Sequence, residues 1–357
     1  MYDIPILMLH TVNNHPQDNP LGKLAVSANG LDAYLRVLKQ WKYQMISMDD
    51  LLNGRYDPQK NYIVLTFDDG YKDNLTVALP ILKKYGARAT IFVNPAYTSP
   101  ESDNSDWGFM TWEEIEQAEN SGVFDIQAHT MTHEFIFTSD KIIDHYTPDK
   151  FHKYYWLAWM LYPDAPNHWD GKANRYRDMI PVGYPIFEYG RRLSGKKFIP
   201  DASYVDHLIN VYNGADREEY AASHGIYESD EGYQKYAHWE IEDCKRVLEE
   251  RLHKEIHTLC FPGHGYTDFA LDIAEKCGYH CYMTSNPMLR GTNNLHLETI
   301  QKGTFCGLNR TAFSLIHPGF LPDAFFDYWV AKLSLGAHQS KPPYGLLKKA
   351  MSKIFHT

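Results

Sequence analysis

One apolar segment that ends in two adjacent carboxylates constrains this chain more than any other feature. Residues 63–67 read Ile-Val-Leu-Thr-Phe, which is typical of a buried β-strand, and Asp68, Asp69 and Gly70 follow directly. Successive side chains of a strand point to opposite faces, so the two acids can take different chemical roles. Gly70 permits a sharp backbone turn behind them. An ordinary Asp-Asp-Gly turn has the same sequence, so other segments must decide between the two interpretations.

The composition indicates a folded protein with a weak bias toward sugar ligands. The chain has 357 residues, 44% of them hydrophobic and 22% charged, which fits one large domain or two ordinary ones. Aromatic residues make up 14% of the chain, and such rings either stack on sugar faces or fill hydrophobic cores. The formal net charge of −10 argues against nucleic acid as the main partner.

The cysteines and the amino terminus predict a cytoplasmic location. The five cysteines form no C-x-x-C pair, and their odd number indicates reduced thiols. The first residues lack the features of a signal peptide, and no apolar run reaches the length of a membrane span. Residues 346–355 form a short basic amphipathic segment that could contact an anionic membrane surface. A docked terminal helix or a frayed end explains this segment equally well.

Strand-like and helix-like segments alternate along most of the chain. Apolar strand patterns occur at residues 4–9, 43–46, 62–67, 89–93, 124–128, 256–261 and 279–284, with 297–300 as a further candidate. Helical spacing occurs at residues 31–41, 75–85, 112–119, 236–252 and 270–276. This alternation predicts an α/β fold with parallel strands. Polar residues collect at the carboxyl ends of the strands, as in a (β/α) barrel or an open doubly wound sheet.

The alternation stops between residues 134 and 235. This segment is rich in Tyr, Trp, Pro and His and has no clear periodicity. Because loops this long without secondary structure are uncommon, we expect some helices within it. We interpret it as an insertion that covers the active-site side of a domain formed by residues 1–133 and 236–310, with residues 311–357 as a carboxyl-terminal extension.

Two histidines follow the strand predicted at residues 124–128. His129 and His133 are four residues apart, and two imidazoles with one carboxylate are a common ligand set for a divalent metal. Zn²⁺ suits such a set because it lowers the pKa of bound water to about 7. At this spacing the two rings face the same side only if the segment is helical. Such a pair also arises by chance among 18 histidines, but the Asp-Asp-Gly sequence at another strand end makes the metal interpretation stronger.

Three short segments resemble the motifs of the polysaccharide deacetylase family, also called the NodB-homology domain or carbohydrate esterase family 4. Residues 66–70, Thr-Phe-Asp-Asp-Gly, resemble the first motif, and residues 129–133, His-Thr-Met-Thr-His, resemble the second. Residues 261–266, Phe-Pro-Gly-His-Gly-Tyr, are similar to the third. The resemblance extends over roughly residues 1–133 and 236–303. It implies a distorted (β/α) barrel of about seven parallel strands that removes acetyl groups from sugars with the help of a metal.

The family pattern implies a role for each residue of the first two motifs. Asp68 would be the general base, taking a proton from the attacking water. Asp69, His129 and His133 would hold a divalent metal, for which Zn²⁺ is the first choice. A backbone N–H near Tyr71 would be a second donor to the oxyanion that forms at the acetyl carbonyl.

The first strand suggests the general acid. Residues 7–12, Leu-Met-Leu-His-Thr-Val, resemble the opening of the poly-N-acetylglucosamine deacetylase branch, in which the catalytic histidine lies on the first strand. Residues 24–52 resemble the same branch. By this interpretation His10 protonates the leaving amine. A second candidate is His317, which resembles a carboxyl-terminal leucine-histidine motif but is followed by Pro318 and preceded by no good strand.

The third motif departs from the family pattern. The arginine that orients the base is absent before Pro262, where Cys260 and Phe261 stand, and His264 occupies the usual aromatic position. Pro262 and His264 are nevertheless candidates for substrate binding, as is Tyr71.

A basic cluster within the insertion is a further candidate for substrate binding. Arg191, Arg192, Lys196 and Lys197 could hold a phosphate of a nucleotide-linked or lipid-linked sugar. A solvated charged loop is the simpler explanation of the same cluster.

The sequence therefore predicts a metal-dependent hydrolase that removes an acetyl group, most simply from nitrogen, from a sugar unit in cell-surface polysaccharide biosynthesis. The substrate would be a polysaccharide or its lipid-linked or nucleotide-linked precursor. One alternative is a glycan-binding barrel that has lost activity, which the missing third-motif arginine permits. A less favoured alternative is an Fe(II) oxygenase with two histidines and one carboxylate, although no segment marks a 2-oxoglutarate site.

Overall fold

Parallel strands joined by helices form the core of the protein. The computed structural model describes residues 4–13, 25–98, 108–162, 176–216, 219–284, 299 and 303–312. The strands are β1 (Ile6–Leu9), β2 (Tyr43–Ile46), β3 (Asn61–Phe67), β4 (Ala89–Val93), β5 (Phe124–Ala128), β6 (Phe135–His145), β7 (Pro185–Arg191), β8 (Phe198–Pro200), β9 (Gly225–Tyr227), β10 (Thr258–Cys260), β11 (Cys281–Thr284), β12 (Cys306–Asn309) and β13 (Thr311–Ala312). The helices are α1 (Ala28–Gln40), α2 (Met48–Leu52), α3 (Leu79–Tyr85), α4 (Trp112–Asn120), α5 (Phe151–Tyr154), α6 (Trp156–Leu161), α7 (Ala202–Tyr212), α8 (Asp230–His238), α9 (Cys244–Leu252) and α10 (Asp268–Lys276).

The main sheet contains nine of these strands in the order β12-β11-β10-β5-β4-β3-β1-β13, with β2 paired to β3. Seven parallel strands form a nearly closed, distorted (β/α) barrel, so the predicted fold class is confirmed. The seven firm strand predictions each coincide with an observed strand of the sheet. The further candidate at residues 297–300 lies almost entirely outside the described residues.

The chain divides into two compact units. The first comprises residues 1–92, 113–126 and 284–357. Ser27 caps the start of helix α1, and its hydroxyl accepts a hydrogen bond from the Gly30 N–H at 2.9 Å. The apolar face that the sequence predicted for this helix is buried, Leu38 included.

The helix predicted at residues 75–85 starts with a wide turn. Residues Asn74–Ala78 are π-helical, and α3 continues from there to Gly86, which ends it in the left-handed conformation at φ +58°. Pro80 lacks the N–H that an α-helical turn would use, so the preceding turn cannot close with regular bonds.

The second unit comprises residues 93–112 and 127–283. Its longest helical segment begins at Asp230, six residues before the predicted start at residue 236. The Ser229 hydroxyl caps it by accepting from the Gly232 N–H at 3.0 Å. A π-helical turn, Trp239–Asp243, separates α8 from α9. The sequence prediction missed the first part because Gly232 and the charged residues around it weaken the apolar periodicity.

Residues 134–235 contain the helices expected there and, in addition, two small antiparallel sheets that the sequence did not predict. One pairs β6 with β7, and the other pairs β8 with β9. The register of the first sheet shifts after Phe137 and again after Ile142, so β6 does not keep the alternation that identifies a strand. Its core is aromatic, with Trp156, Phe137 and Phe187 fully buried.

Two predictions concern segments that the structure does not describe. The basic amphipathic segment at residues 346–355 and His317 both lie outside the described residues. Among the described helices, none combines the length and the apolar character that crossing a bilayer requires.

Truncating a core residue of α1 tests the packing of the first unit. Leu38 is completely buried, so Leu38→Ala should lower the free energy of unfolding by about 2–5 kcal/mol through lost burial and a residual cavity. The neighbouring Lys39 is exposed, and Lys39→Ala should change the same quantity by less than about 0.5 kcal/mol. Urea unfolding of both variants makes the comparison, and equal losses would contradict the packing of α1.

Candidate active site

The first motif ends β3 with a buried acid and a turn. Asp68 is buried, and its backbone N–H donates to the Leu9 carbonyl at 2.9 Å, which continues the pairing of β1 with β3. Asp69 and Gly70 both adopt left-handed backbone conformations, with φ at +75° and +73°. For a non-glycine residue this conformation costs about 1–2 kcal/mol, and such strain is concentrated at functional sites. The turn that Gly70 was expected to permit is therefore present, and Asp69 shares it.

His10 lies beside Asp68 because β1 and β3 are parallel and in register. Its Nε2 is 3.9 Å from Oδ2 of Asp68. The Asn74 side-chain amide donates to the His10 carbonyl at 2.8 Å, and the Thr11 hydroxyl donates to the Asp73 carboxylate. The residues that follow the first motif therefore fix the backbone that presents the proposed acid to the proposed base.

Arg310 is a site residue that the sequence reasoning missed. Its Nη1 and Nη2 donate to Oδ1 and Oδ2 of Asp68 at 2.6 and 2.8 Å, a two-pronged pair with both side chains buried. The missing arginine of the third motif thus has a counterpart at the end of β12. The available signal was a polar Asn309-Arg310 step after a short apolar run, but a four-residue strand with a central glycine is hard to recognise.

The second motif brings its two histidines together without a helix. Their ring centroids are 5.3 Å apart. Residues 129–134 have no helical structure, so the expectation that these rings meet only on a helix was wrong. Thr130 instead takes a left-handed conformation at φ +63° and folds the segment back on itself. The Asn94 amide stabilises this turn by donating to the Thr130 carbonyl at 3.2 Å.

Glu240 clamps the middle of the second motif. Its carboxylate accepts from the Thr132 N–H at 2.9 Å and from the Thr132 hydroxyl, and its backbone carbonyl accepts from the Met131 N–H at 2.9 Å. Glu240 is buried in the π-helical turn, and burial raises the pKa of its carboxyl group to about 7, although the bonds from Thr132 act in the opposite direction.

The third motif surrounds a side chain of the insertion. Pro262 is buried, and Gly263 and His264 both have left-handed backbones, at φ +53° and +59°. Arg191 passes this loop and donates from Nη1 to Nδ1 of His133 at 2.9 Å. Its guanidinium lies 3.6 Å from the ring centre of Phe135.

The two arginines of the basic cluster point to different environments. Arg192 is buried and pairs with Glu228 at 2.6 Å and, more distantly, with Glu134 at 3.9 Å. Arg191 contacts His133, as described above. Tyr71, near which the sequence predicted a backbone N–H donor to the oxyanion, is buried with 1% of its surface exposed.

Two groups of described residues could hold a metal ion. One consists of Asp69, His129 and His133, and the other combines Asp68 and His129 with Cys260. In each group one ligand atom from every residue lies within 4.8 Å of the others. The first group is the set that the sequence predicted. Its two histidines and one carboxylate are typical zinc ligands, and a fourth position would stay open.

A comparison with known protein families gives a match over part of the chain. Residues 55–152 match the model of the polysaccharide deacetylase family, and this segment contains the first and second motifs. The Bacillus subtilis (strain 168) protein YxkH, which is described as a polysaccharide deacetylase, is 29% identical over 133 residues. That match covers 36% of this chain and 43% of YxkH, less than half of the relative's length.

Solved structures share the fold over most of their length. The Streptococcus pyogenes deacetylase PplD, solved with acetate, is 20% identical with a TM-score of 0.50, and 91% of this chain and 97% of that one are covered. A de-N-acetylase from Aggregatibacter actinomycetemcomitans is 17% identical with a TM-score of 0.53 and coverage of 91% and 99%. The BpsB deacetylase domain from Bordetella bronchiseptica is 15% identical, with a TM-score of 0.52 and coverage of 87% and 95%. The matched segment, residues 55–152, therefore resembles the polysaccharide deacetylase family, and the solved structures share the fold of the chain.

Removing the partner of Asp68 should be costly for stability. Arg310→Met leaves a buried carboxylate without its guanidinium, so we expect a loss of about 3–5 kcal/mol in the free energy of unfolding. The double variant Asp68→Asn with Arg310→Met removes both charges and should recover a large part of that loss. Urea unfolding of the single and double variants completes the cycle. Strictly additive losses would mean that the two side chains do not interact.

The buried Glu240 should make stability depend on pH. Because its pKa of about 7 lies above the ordinary value of 4.5, the folded protein holds a proton that the unfolded chain releases. The stabilisation is complete below pH 4.5 and is lost as the pH rises through 7, by roughly 3 kcal/mol in total. Relative to Glu240→Gln, the wild type should therefore lose stability between pH 5 and pH 8.

Unfolding curves across that range measure the effect. The exposed Glu231 provides the control, since Glu231→Gln should follow the pH profile of the wild type. A constant difference between wild type and Glu240→Gln over this range would rule out the raised pKa.

Proposed function

We propose that the protein is a metal-dependent hydrolase that removes an acetyl group from a sugar unit of a polysaccharide or of its lipid-linked or nucleotide-linked precursor. The observation that carries this proposal is the grouping of Asp69, His129 and His133, whose ligand atoms lie within 4.8 Å of one another. The neighbouring residue in sequence, Asp68, is held by Arg310 and lies 3.9 Å from His10. Hydrolysis of an acyl group by metal-activated water needs three things: residues that bind the metal, a carboxylate base and a general acid. Asp69, His129 and His133, which we call the metal set, would bind the metal, and Asp68 and His10 would act as base and acid.

The three side chains of the metal set are chemically suited to bind a divalent ion. Asp69, His129 and His133 would hold a divalent ion, for which Zn²⁺ is our first choice. When bound, such an ion acts as a Lewis acid and makes water more acidic. His129 already presents a suitable donor, because its Nδ1 donates to the Cys260 carbonyl at 2.7 Å and its Nε2 therefore carries the lone pair.

Asp68 is our general base. Its carboxylate would take the proton of the attacking water, and the two N–H donors of Arg310 keep its oxygens in one orientation. Arg310 also supplies the guanidinium that the third motif lacks before Pro262. The alternative of an inactive glycan-binding barrel rested on the absence of a guanidinium beside the base, and Arg310 supplies one.

His10 is our general acid, and its position favours an N-acetyl group as the substrate. An amine is a poor leaving group until it is protonated, so the breaking of an amide C–N bond needs an acid at the leaving nitrogen. The His10 ring would supply that proton, with Asn74 fixing the backbone behind it. The backbone N–H near Tyr71 stays our candidate for the second oxyanion donor, and Pro262 and His264 stay candidates for sugar contacts.

The proposal also includes a biological process and a cellular location. The place of action would be surface-polysaccharide assembly, since the substrate class is an N-acetylated glycan. We keep the cytoplasm as the proposed location, and it is compatible with five cysteines of which none forms a disulfide.

Acetate release from N-acetylglucosamine oligomers tests the activity directly. Wild-type protein loaded with Zn²⁺ should release acetate, a chelator should abolish the release, and Asp68→Asn should lower kcat by about 10²–10⁴-fold. An exposed acid offers a matched control, and Asp272→Asn should leave the rate unchanged. Equal rates for wild type and Asp68→Asn would remove Asp68 as the base. Activity that requires O₂ and 2-oxoglutarate would favour the oxygenase instead.

A further inference from the structure

The two histidines of the second motif are held in opposite tautomers. A backbone carbonyl can only accept a hydrogen bond, so His129 carries its proton on Nδ1, which faces the Cys260 carbonyl at 2.7 Å. A guanidinium can only donate, so Nδ1 of His133 accepts from Arg191 at 2.9 Å and its proton resides on Nε2. His129 is ready to bind a metal through Nε2, whereas His133 is not.

Arg191 is built into its position beside His133. It is the last residue of β7 and pairs in register with Phe135, two residues beyond His133. Its guanidinium lies 3.6 Å from the centre of the Phe135 ring. Two glycines of the third motif leave room for it, because a Cβ atom on Gly263 would lie 2.5 Å from its Nε and one on Gly265 would lie 2.7 Å from its Cβ.

The bond from Arg191 and a bond from His133 to a metal exclude each other. A neutral imidazole has one nitrogen with a free lone pair, and here that lone pair accepts from Arg191. If the metal binds Nδ1, it takes the position of the guanidinium. If it binds Nε2, the ring must lose its Nε2 proton to water and gain one on Nδ1, which then faces a group that cannot accept. Either way Arg191 has to leave Nδ1.

We propose that Arg191 of the insertion is a built-in competitor for the metal at His133. Arg191 occupies the second histidine in the metal-free protein, and metal loading displaces it. The inference rests on the metal set of the proposed function, and it adds that the insertion sets the affinity of that set. Removing the competing donor and its positive charge should tighten metal binding by about tenfold or more.

Titration of the chelator-treated full-length protein with Zn²⁺ against a chromophoric competitor measures the affinity. Arg191→Met keeps the length of the side chain but loses its charge and donors, and it should bind Zn²⁺ about tenfold more tightly than wild type. Arg191→Lys keeps a donor and a charge, so its affinity should stay nearer to that of the wild type. Arg177→Met removes one exposed arginine of the insertion and controls for net charge. Equal affinities of wild type and Arg191→Met would overturn the proposal.

A second measurement does not depend on how well the variants fold. Nitrogen-15 NMR of the histidine rings in the metal-free wild type should show His133 as the Nε2–H tautomer and His129 as the Nδ1–H tautomer. Finding the Nδ1–H tautomer at His133 would overturn the proposal. Failure of the proposed function looks different, because then neither the wild type nor any Arg191 variant would bind Zn²⁺ in a manner sensitive to His129→Ala.

Discussion

The buried pair of Asp68 and Arg310 is the interaction on which the proposed chemistry depends. A carboxylate at the end of an apolar strand, 3% exposed, is stable only with a partner that satisfies its oxygens. Arg310 has that place because it stands between β12 and β13, and β13 pairs with β1 through Leu7 and Thr311. β1 in turn pairs with β3, so strand register alone delivers the guanidinium to the acid. The same register puts His10 beside Asp68.

Each of the three motifs contains one residue in a left-handed backbone conformation that is not glycine: Asp69, Thr130 and His264. Regular strands would send alternate side chains to opposite faces, away from a common centre. The left-handed residue breaks that alternation where each strand ends and redirects the side chains that follow. Hydrogen bonds from Asn94 and to Glu240 hold the second of these turns in place, so the local strain is offset by neighbouring residues.

The sequence predicted what depends on local pattern and missed what depends on distant partners. β4 and β5 have the predicted boundaries because β4 is almost wholly apolar and β5 alternates apolar with polar residues, and both patterns are typical of strands. The start of α8 was missed because Gly232 weakens its pattern, and the pairing of β6 with β7 was missed because the register shifts. Arg310 could not be assigned, since its partner Asp68 lies 242 residues away in the sequence. His129 and His133 lie close together, as the metal hypothesis requires, but the predicted reason was wrong because the segment that joins them is not helical.

The insertion is tied to the second motif both by the chain and by charge. β6 begins two residues after His133, and its partner β7 ends at Arg191. Arg192 is anchored in the opposite direction, buried against Glu228 and with its guanidinium 3.9 Å from the ring centre of Tyr236. Arg191 has an extended backbone and Arg192 begins a 3₁₀ turn, and the two guanidinium groups contact different partners, His133 and Glu228. If Arg191 competes for the metal as proposed, changes in the packing around Arg192 and Glu228 would alter the proposed metal site without substitution of any of its three residues.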